Sequence, residues 1–127
     1  TVVNAGETHI RTTGPWPGTT YPASQNFTTL GWPEDEGVFR VALDRKYSKS
    51  AYPYRWGIGT PGVDLVQRDG QWVLPPGERG TVRGCVRIDE LPPENPIDFW
   101  LGLMHEQGKL PLVNHRVAPI TLTVTSP

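Results

Sequence analysis

Three histidines, one cysteine and a run of carboxylates are the residues of this chain that could do chemistry. His9, His105 and His115 supply imidazoles for metal ligation or proton transfer, and Glu106 follows His105 directly. A metal site needs two ligands held on one face, and no His-x-His or His-x-x-x-His spacing is present to hold them. The histidines therefore read as surface or loop residues, and neither a metal nor another cofactor is expected. Cys85 lies between Arg83 and Arg87, positive neighbours that would activate an exposed thiol. A lone cysteine in a β protein is more often a small buried apolar residue, and burial is the expectation here. Hydrolysis requires a nucleophile with a base, or two carboxylates opposed across a cleft. Glu34, Asp35 and Glu36 are too crowded for opposed roles and read as a solvated charge run. Gly57-Ile-Gly59 lacks the third glycine and the following helix of a nucleotide fingerprint, and no Gly-x-Ser-x-Gly elbow occurs. The chain is therefore not expected to be an enzyme.

Aromatic residues carry the stronger signal. Trp16, Tyr21, Trp32, Tyr52 and Tyr54 lie in Pro- and Gly-rich sequence outside any alternating run. Their flat faces can stack on sugar rings or fill a partner's pockets, because each offers large apolar area with few torsions to freeze. These five are the candidate partner- or ligand-binding residues, whereas Trp56, Trp72 and Trp100 read as closing the ends of the fold. Asn26-Phe27-Thr28 is a sequon that would permit N-glycosylation in a suitable host.

Short alternating runs position these residues, and clean helical periodicity is absent. Phe39, Val41 and Leu43 alternate with Arg40 and Ala42, the pattern of a strand with one face in a core. Val82, Val86 and Ile88 continue it against Arg83 and Arg87, and Ile120, Leu122 and Val124 alternate with Thr121, Thr123 and Thr125. Val63 to Val66, Gln71 to Leu74 and Asp98 to Met104 are further strands, and Thr8 to Thr12 suits an edge strand. Asp69-Gly70 marks a tight turn and Pro75-Pro76-Gly77 another. The expected core is Val82, Val86, Ile88, Phe99, Leu101, Leu103, Ile120, Leu122 and Val124, so that Leu122→Ala would cost about 2–5 kcal/mol by leaving a cavity.

The 127 residues suffice for one core, and the formal net charge of -1 argues against nucleic acid as a partner. No apolar run is long enough for a transmembrane helix. A first residue of Thr1 fits either a mature protein whose leader was removed or a fragment of a longer one. With 14 Gly and 14 Pro the chain suits short strands joined by stiff loops. Arg outnumbers Lys nine to three, and with the loop proline this fits a heat-adapted source. Residues 1–37 are expected to form an N-terminal strand plus a Pro/Trp-rich extension or loop, and 38–127 the sandwich core. Residues 14 to 37 hold little strand signal, so with residues 1 to 13 they are expected to dock on a partner and be ordered by it, leaving a folded core when 1 to 33 are deleted.

From about Val38 to Val124 the order of features resembles bacterial immunoglobulin-like modules of the four-tryptophan type. Shared elements are Phe39-Arg-Val-Ala-Leu43, the aromatic stretch Tyr52-Pro-Tyr-Arg-Trp56, the turn Pro76-Gly-Glu78, Phe99-Trp-Leu-Gly102 and the terminal Ile120-Thr-Leu-Thr-Val124. Phe39 stands where such modules carry an early Trp, and Asp44-Arg45 where they tend to carry Asn and Gly. The resemblance implies an all-β, immunoglobulin-like sandwich with Greek-key connections. Edge strands and the alternating Thr-rich terminus suit strand addition between subunits, so the expectation is a non-catalytic structural or adhesive subunit, placed outside the cytoplasm at a cell surface and assembling with copies of itself or a larger complex. The alternative is a carbohydrate-binding or spacer module of a surface enzyme, with Asp64, Asn114 and Glu106 beside an aromatic platform.

Overall fold

The computed structural model describes residues 1–108 and 111–126, without the side chain of His115. These residues are all β, with no helix, and so none that is long and apolar enough to cross a membrane. In chain order the strands are β1 (Val2–Val3), β2 (Ile10–Arg11), β3 (Thr20–Pro22), β4 (Phe39–Arg45), β5 (Tyr54–Gly57) and β6 (Val66–Arg68). They continue with β7 (Gln71–Leu74), β8 (Arg79–Gly80), β9 (Cys85–Arg87), β10 (Ile97–His105) and β11 (Leu112–Leu122).

The principal sheet has the order β11-β10-β4-β5 and is antiparallel throughout. A second sheet, β2-β7-β6, turns at Asp69-Gly70, where both residues have positive φ (53° and 75°). That pair closes a two-residue hairpin between Arg68 and Gln71, the connection whose twist matches its strands. Two short pairs complete the chain, β1 with β8 and, in parallel, β3 with β9.

One face of the principal sheet carries Phe39, Val41 and Leu103, which pack on Ile58, Leu65 and Leu74 together with Val2, Ile10 and Trp72. The second sheet thus lies over the first, a sandwich-like arrangement. Farther along the same face Tyr54 and Trp56 pack with Tyr21, Phe27, Val82 and Val86. The opposite face is buried too, since Arg40 and Ala42 are both fully enclosed. The alternation in β4 therefore selects no solvent side, because the chain covers both faces.

A free sheet edge exposes a row of backbone donors and acceptors, and β5 is such an edge. Here the N-terminal third covers it. Gly57 N–H donates to Pro15 O (2.7 Å), and Phe27 N–H donates to Pro53 O (3.0 Å). Between them the Tyr21 hydroxyl donates to Arg55 O (2.6 Å) and accepts from Arg55 N–H (3.3 Å). This corrects the expectation that residues 14 to 37 are ordered by a partner: they are ordered by β5 of their own chain. Strand β3 lies within that stretch, where the sequence shows no alternation.

The expected core is also corrected. Phe99 is buried, but Leu101, Ile120 and Leu122 are exposed, and Val82, Val86, Ile88, Leu103 and Val124 are half-buried. The last strand forms and starts earlier than expected, at Leu112, yet it lies at the sheet edge, where Leu112 packs on the cluster that holds Tyr52 and Trp100 while Val117, Ile120 and Leu122 stay exposed. Cys85 is exposed as well. It shares strand parity with the exposed Arg83 and Arg87, while Val82 and Val86 turn inward and a Cβ on Gly84 would strike the Trp56 indole.

Candidate functional site

Strand β11 is the far edge of the principal sheet, and every residue from 116 to 123 is exposed. The register with β10 sets Val117 opposite Leu101, Ile120 opposite Phe99 and Leu122 opposite Ile97. Directly paired residues share a face, so Leu101, Val117, Ile120 and Leu122 form one apolar strip. Ile120 is the most open of them, at 52%. Single exposed apolar side chains are ordinary on a soluble protein, whereas a contiguous strip marks an interaction surface.

The strip runs into a groove of about 820 Å³. Its floor is Val41, Leu43, Trp56, Leu101 and Leu103, with Asn114 and Val117 at the β11 side, and its walls are Thr1–Val3 and residues 82–85. The lining is mainly aliphatic, which favours burial of apolar side chains.

Three register shifts shape β11. They fall between Phe99 and Leu101, between Leu101 and Leu103 and between Leu103 and Met104, and Ala118 and Arg116 adopt positive φ (49° and 54°) at the first two. These bulges and Pro119 blunt the middle of the edge against direct pairing of one β11 on another. On the opposite face Arg116 lays its guanidinium 4.2 Å from the Trp100 ring centroid, and Arg116 N–H donates to the Tyr52 hydroxyl (3.4 Å). Gly102 permits this, because a Cβ there would lie 2.7 Å from the Tyr52 ring.

Beneath the N-terminal third sits a buried ionic cluster. Arg55 Nη1 donates to both carboxylate oxygens of Glu106 (2.8 Å each), and Arg40 Nη1 lies 3.4 Å from Glu106 Oε1. Arg40 also donates to Glu34 O (2.9 Å) and Thr13 Oγ1 (2.7 Å). The Phe27 ring lies under both guanidiniums, 4.1 Å from Arg55 Cζ and 5.5 Å from Arg40 Cζ. Burial pulls the Arg40 guanidinium below its usual range, and the Glu106 charge opposes that fall. Enclosed on every side, the cluster fastens the N-terminal third to β4, β5 and the end of β10.

A shallow polar cleft of about 550 Å³ lies elsewhere, lined by residues including Glu7, His9, Arg11, Arg68 and Asp69. Arg68 donates to the His9 ring there. His105 is instead stacked flat on Phe39, with ring centroids 4.3 Å apart. The His115 side chain lies outside the described residues, so the expected approach of His105 to His115 has no structural account.

Among family models, curated proteins and solved structures, none matches this chain.

The five aromatic candidates do not form one site. Tyr21, Tyr52 and Tyr54 are buried, so no partner reaches them in the folded chain. Their phenols are spent internally, as Tyr54 donates to Ala23 O (2.7 Å) and Tyr21 and Tyr52 bond as described above. Trp16 and Trp32 are half-buried and meet edge to face, with centroids 6.2 Å apart. A Cβ on Gly14 would lie 2.6 Å from Trp32 Cζ2, so this pair is seated tightly against its own loop. Of the strip, Leu101, Ile120 and Leu122 read from sequence as core, and Val117 carries no signal there. The strip's signal was visible as alternation at Ile120, Leu122 and Val124, but alternation does not say whether a second layer covers the apolar side.

Proposed function

We propose that this chain is a non-catalytic structural subunit that assembles with copies of itself through the exposed apolar strip of β10 and β11. The observation that carries this reading is the contrast between the sheet's two edges. The β5 edge is capped by the chain's own N-terminal third, whereas β11 is exposed from Arg116 onward and bears an apolar strip beside an apolar groove. The resemblance to four-tryptophan immunoglobulin-like modules supports an immunoglobulin-like sandwich and a place at the cell surface, outside the cytoplasm. A carbohydrate platform is less favoured, because three of the five candidate aromatics are buried.

Sedimentation over a range of concentrations tests this. Wild type is expected to associate, and the double variant Val117→Asp with Ile120→Asp to remain monomeric with an unchanged melting temperature, since both side chains face solvent. A wild type that stays monomeric at every concentration, or a double variant that associates equally well, overturns the reading.

A further inference from the structure

The groove has a feature that an apolar surface patch lacks: one wall is an unfilled strand position. Backbone of residues 83–87 pairs with β3 through alternate residues only. Gly18 N–H donates to Arg83 O (2.7 Å), Cys85 N–H to Thr19 O (3.5 Å) and Ala23 N–H to Arg87 O (2.8 Å). In a parallel ladder, residues between these turn their N–H and C=O to the other side. Among the described residues, no hydrogen bond reaches the backbone of Val82 or Gly84. Their free groups border the groove, beside a floor of Leu43, Leu101 and Leu103. A strand laid along this wall would gain backbone pairing and place every second side chain on that floor.

The same molecule displays a segment of the right kind. Pairing of β11 with β10 ends at Leu122 with Ile97, and beyond it the side chain of Asn95 takes over as the neighbour of the chain. Asn95 Nδ2 donates to Val124 O (2.6 Å), and Val124 N–H donates to Asn95 Oδ1 (3.0 Å). This holds one edge of the segment and leaves the other free. Ile120, Leu122 and Val124 alternate with threonines, the pattern for apolar contact on one side and water on the other. Pro119 and the bulges lie before this stretch and do not interrupt it.

Surface area agrees with an incomplete layer. A compact monomer of 14.1 kDa exposes about 6,700 Å² by the usual scaling, whereas this chain exposes 7700 Å². The excess, about 1,000 Å², is on the scale of the ~800 Å² that each partner buries in a stable interface.

We infer that copies join head to tail, the end of β11 from one copy (residues 120–125) adding as a strand along Val82–Val86 of the next. The inference rests on the proposed self-assembly and specifies its geometry. The donor segment and the acceptor groove are different surfaces, so the contact is heterologous and repeats into rings or filaments.

Two variants that each disable one surface test this. Leu101→Asp spoils the groove floor and leaves the donor segment intact, and Leu122→Asp does the reverse. Leu101→Gln, which keeps the side-chain length, replaces the first if the aspartate variant does not fold. Each variant alone is expected to be monomeric by sedimentation, and an equimolar mixture to form a one-to-one dimer that grows no further. In that dimer the Val82 and Gly84 amides of the Leu122→Asp chain should exchange at least tenfold more slowly than in the monomer. If wild type associates but the mixture stays monomeric, or those amides keep their monomer rates, head-to-tail strand addition is overturned and self-assembly through the apolar face stands. If wild type itself stays monomeric, both fall.

Discussion

Glu106 holds two arginines that could not be buried without it. A buried ion pair contributes little relative to an apolar replacement, but removing one partner strands the other charge in a low-dielectric site. Glu106→Gln leaves Arg55 and Arg40 facing each other with no anion between them, so a loss of about 3–5 kcal/mol is expected by urea denaturation. Tyr21 adds a pH dependence. Burial pushes its phenol up from 10.0 to about 12, against the opposing pull of the Arg55 backbone contact and the two guanidiniums. The unfolded chain then loses this proton near pH 10 while the folded chain keeps it, so stability is fully present below pH 10 and falls as pH rises through about 12. The loss is on the order of 2–3 kcal/mol at its limit. Tyr54, whose phenol burial also raises, adds in the same direction. Tyr21→Phe should therefore be less stable at neutral pH by about 1 kcal/mol, through the lost hydrogen bond, and should show a shallower decline between pH 10 and 12 in thermal melts. None of this was legible in the sequence. Arg40 reads as a solvent-facing position because its anion lies 66 residues away, and alternation carries no information about so distant a partner.

At the scale of elements, the strands the sequence announces are those whose neighbours are close in the chain or whose alternation is long. Strands β4, β7 and β10, the Asp69-Gly70 hairpin turn and the presence of a last strand all follow from local pattern. Strands β3 and β5 do not, since their residues are bulky on both sides and their pairing depends on long-range partners. The face of β11 was misread for a related reason: a pattern with period two names the apolar side and not the layer that covers it. Leu122→Ala, expected from sequence to open a cavity, should instead cost under about 1 kcal/mol in an isolated chain, because the side chain is 43% exposed and leaves no void. The segment of residues 82–86 is more demanding. Gly84→Ala would drive its methyl into the Trp56 indole, whose Nε1 donates to Thr19 O (3.0 Å). A loss of about 1–3 kcal/mol and a shifted tryptophan emission are expected, and an unchanged spectrum would place that indole elsewhere.

For the whole molecule, the N-terminal third behaves as part of the sandwich. Deleting residues 1 to 33 would remove Tyr21 and Phe27 from the core, uncover β5 and deprive Arg40 of Thr13. The truncated chain should then lose cooperative unfolding, as followed by near-ultraviolet circular dichroism, where the sequence alone suggested a self-sufficient core. The parallel contact of β3 with β9 has a consequence for biosynthesis. Thr20 pairs with Cys85, so the first third leaves the ribosome well before its neighbour exists. At roughly 5–20 residues per second the wait is on the order of 3–13 s, far longer than local collapse takes. Tyr21 and Phe27 gain their β5 partners once residues 53–57 follow, but β3 lacks its backbone neighbour until Cys85 is made, and a nascent chain in that condition is a ready client for chaperones that recognise aromatic-rich extended segments.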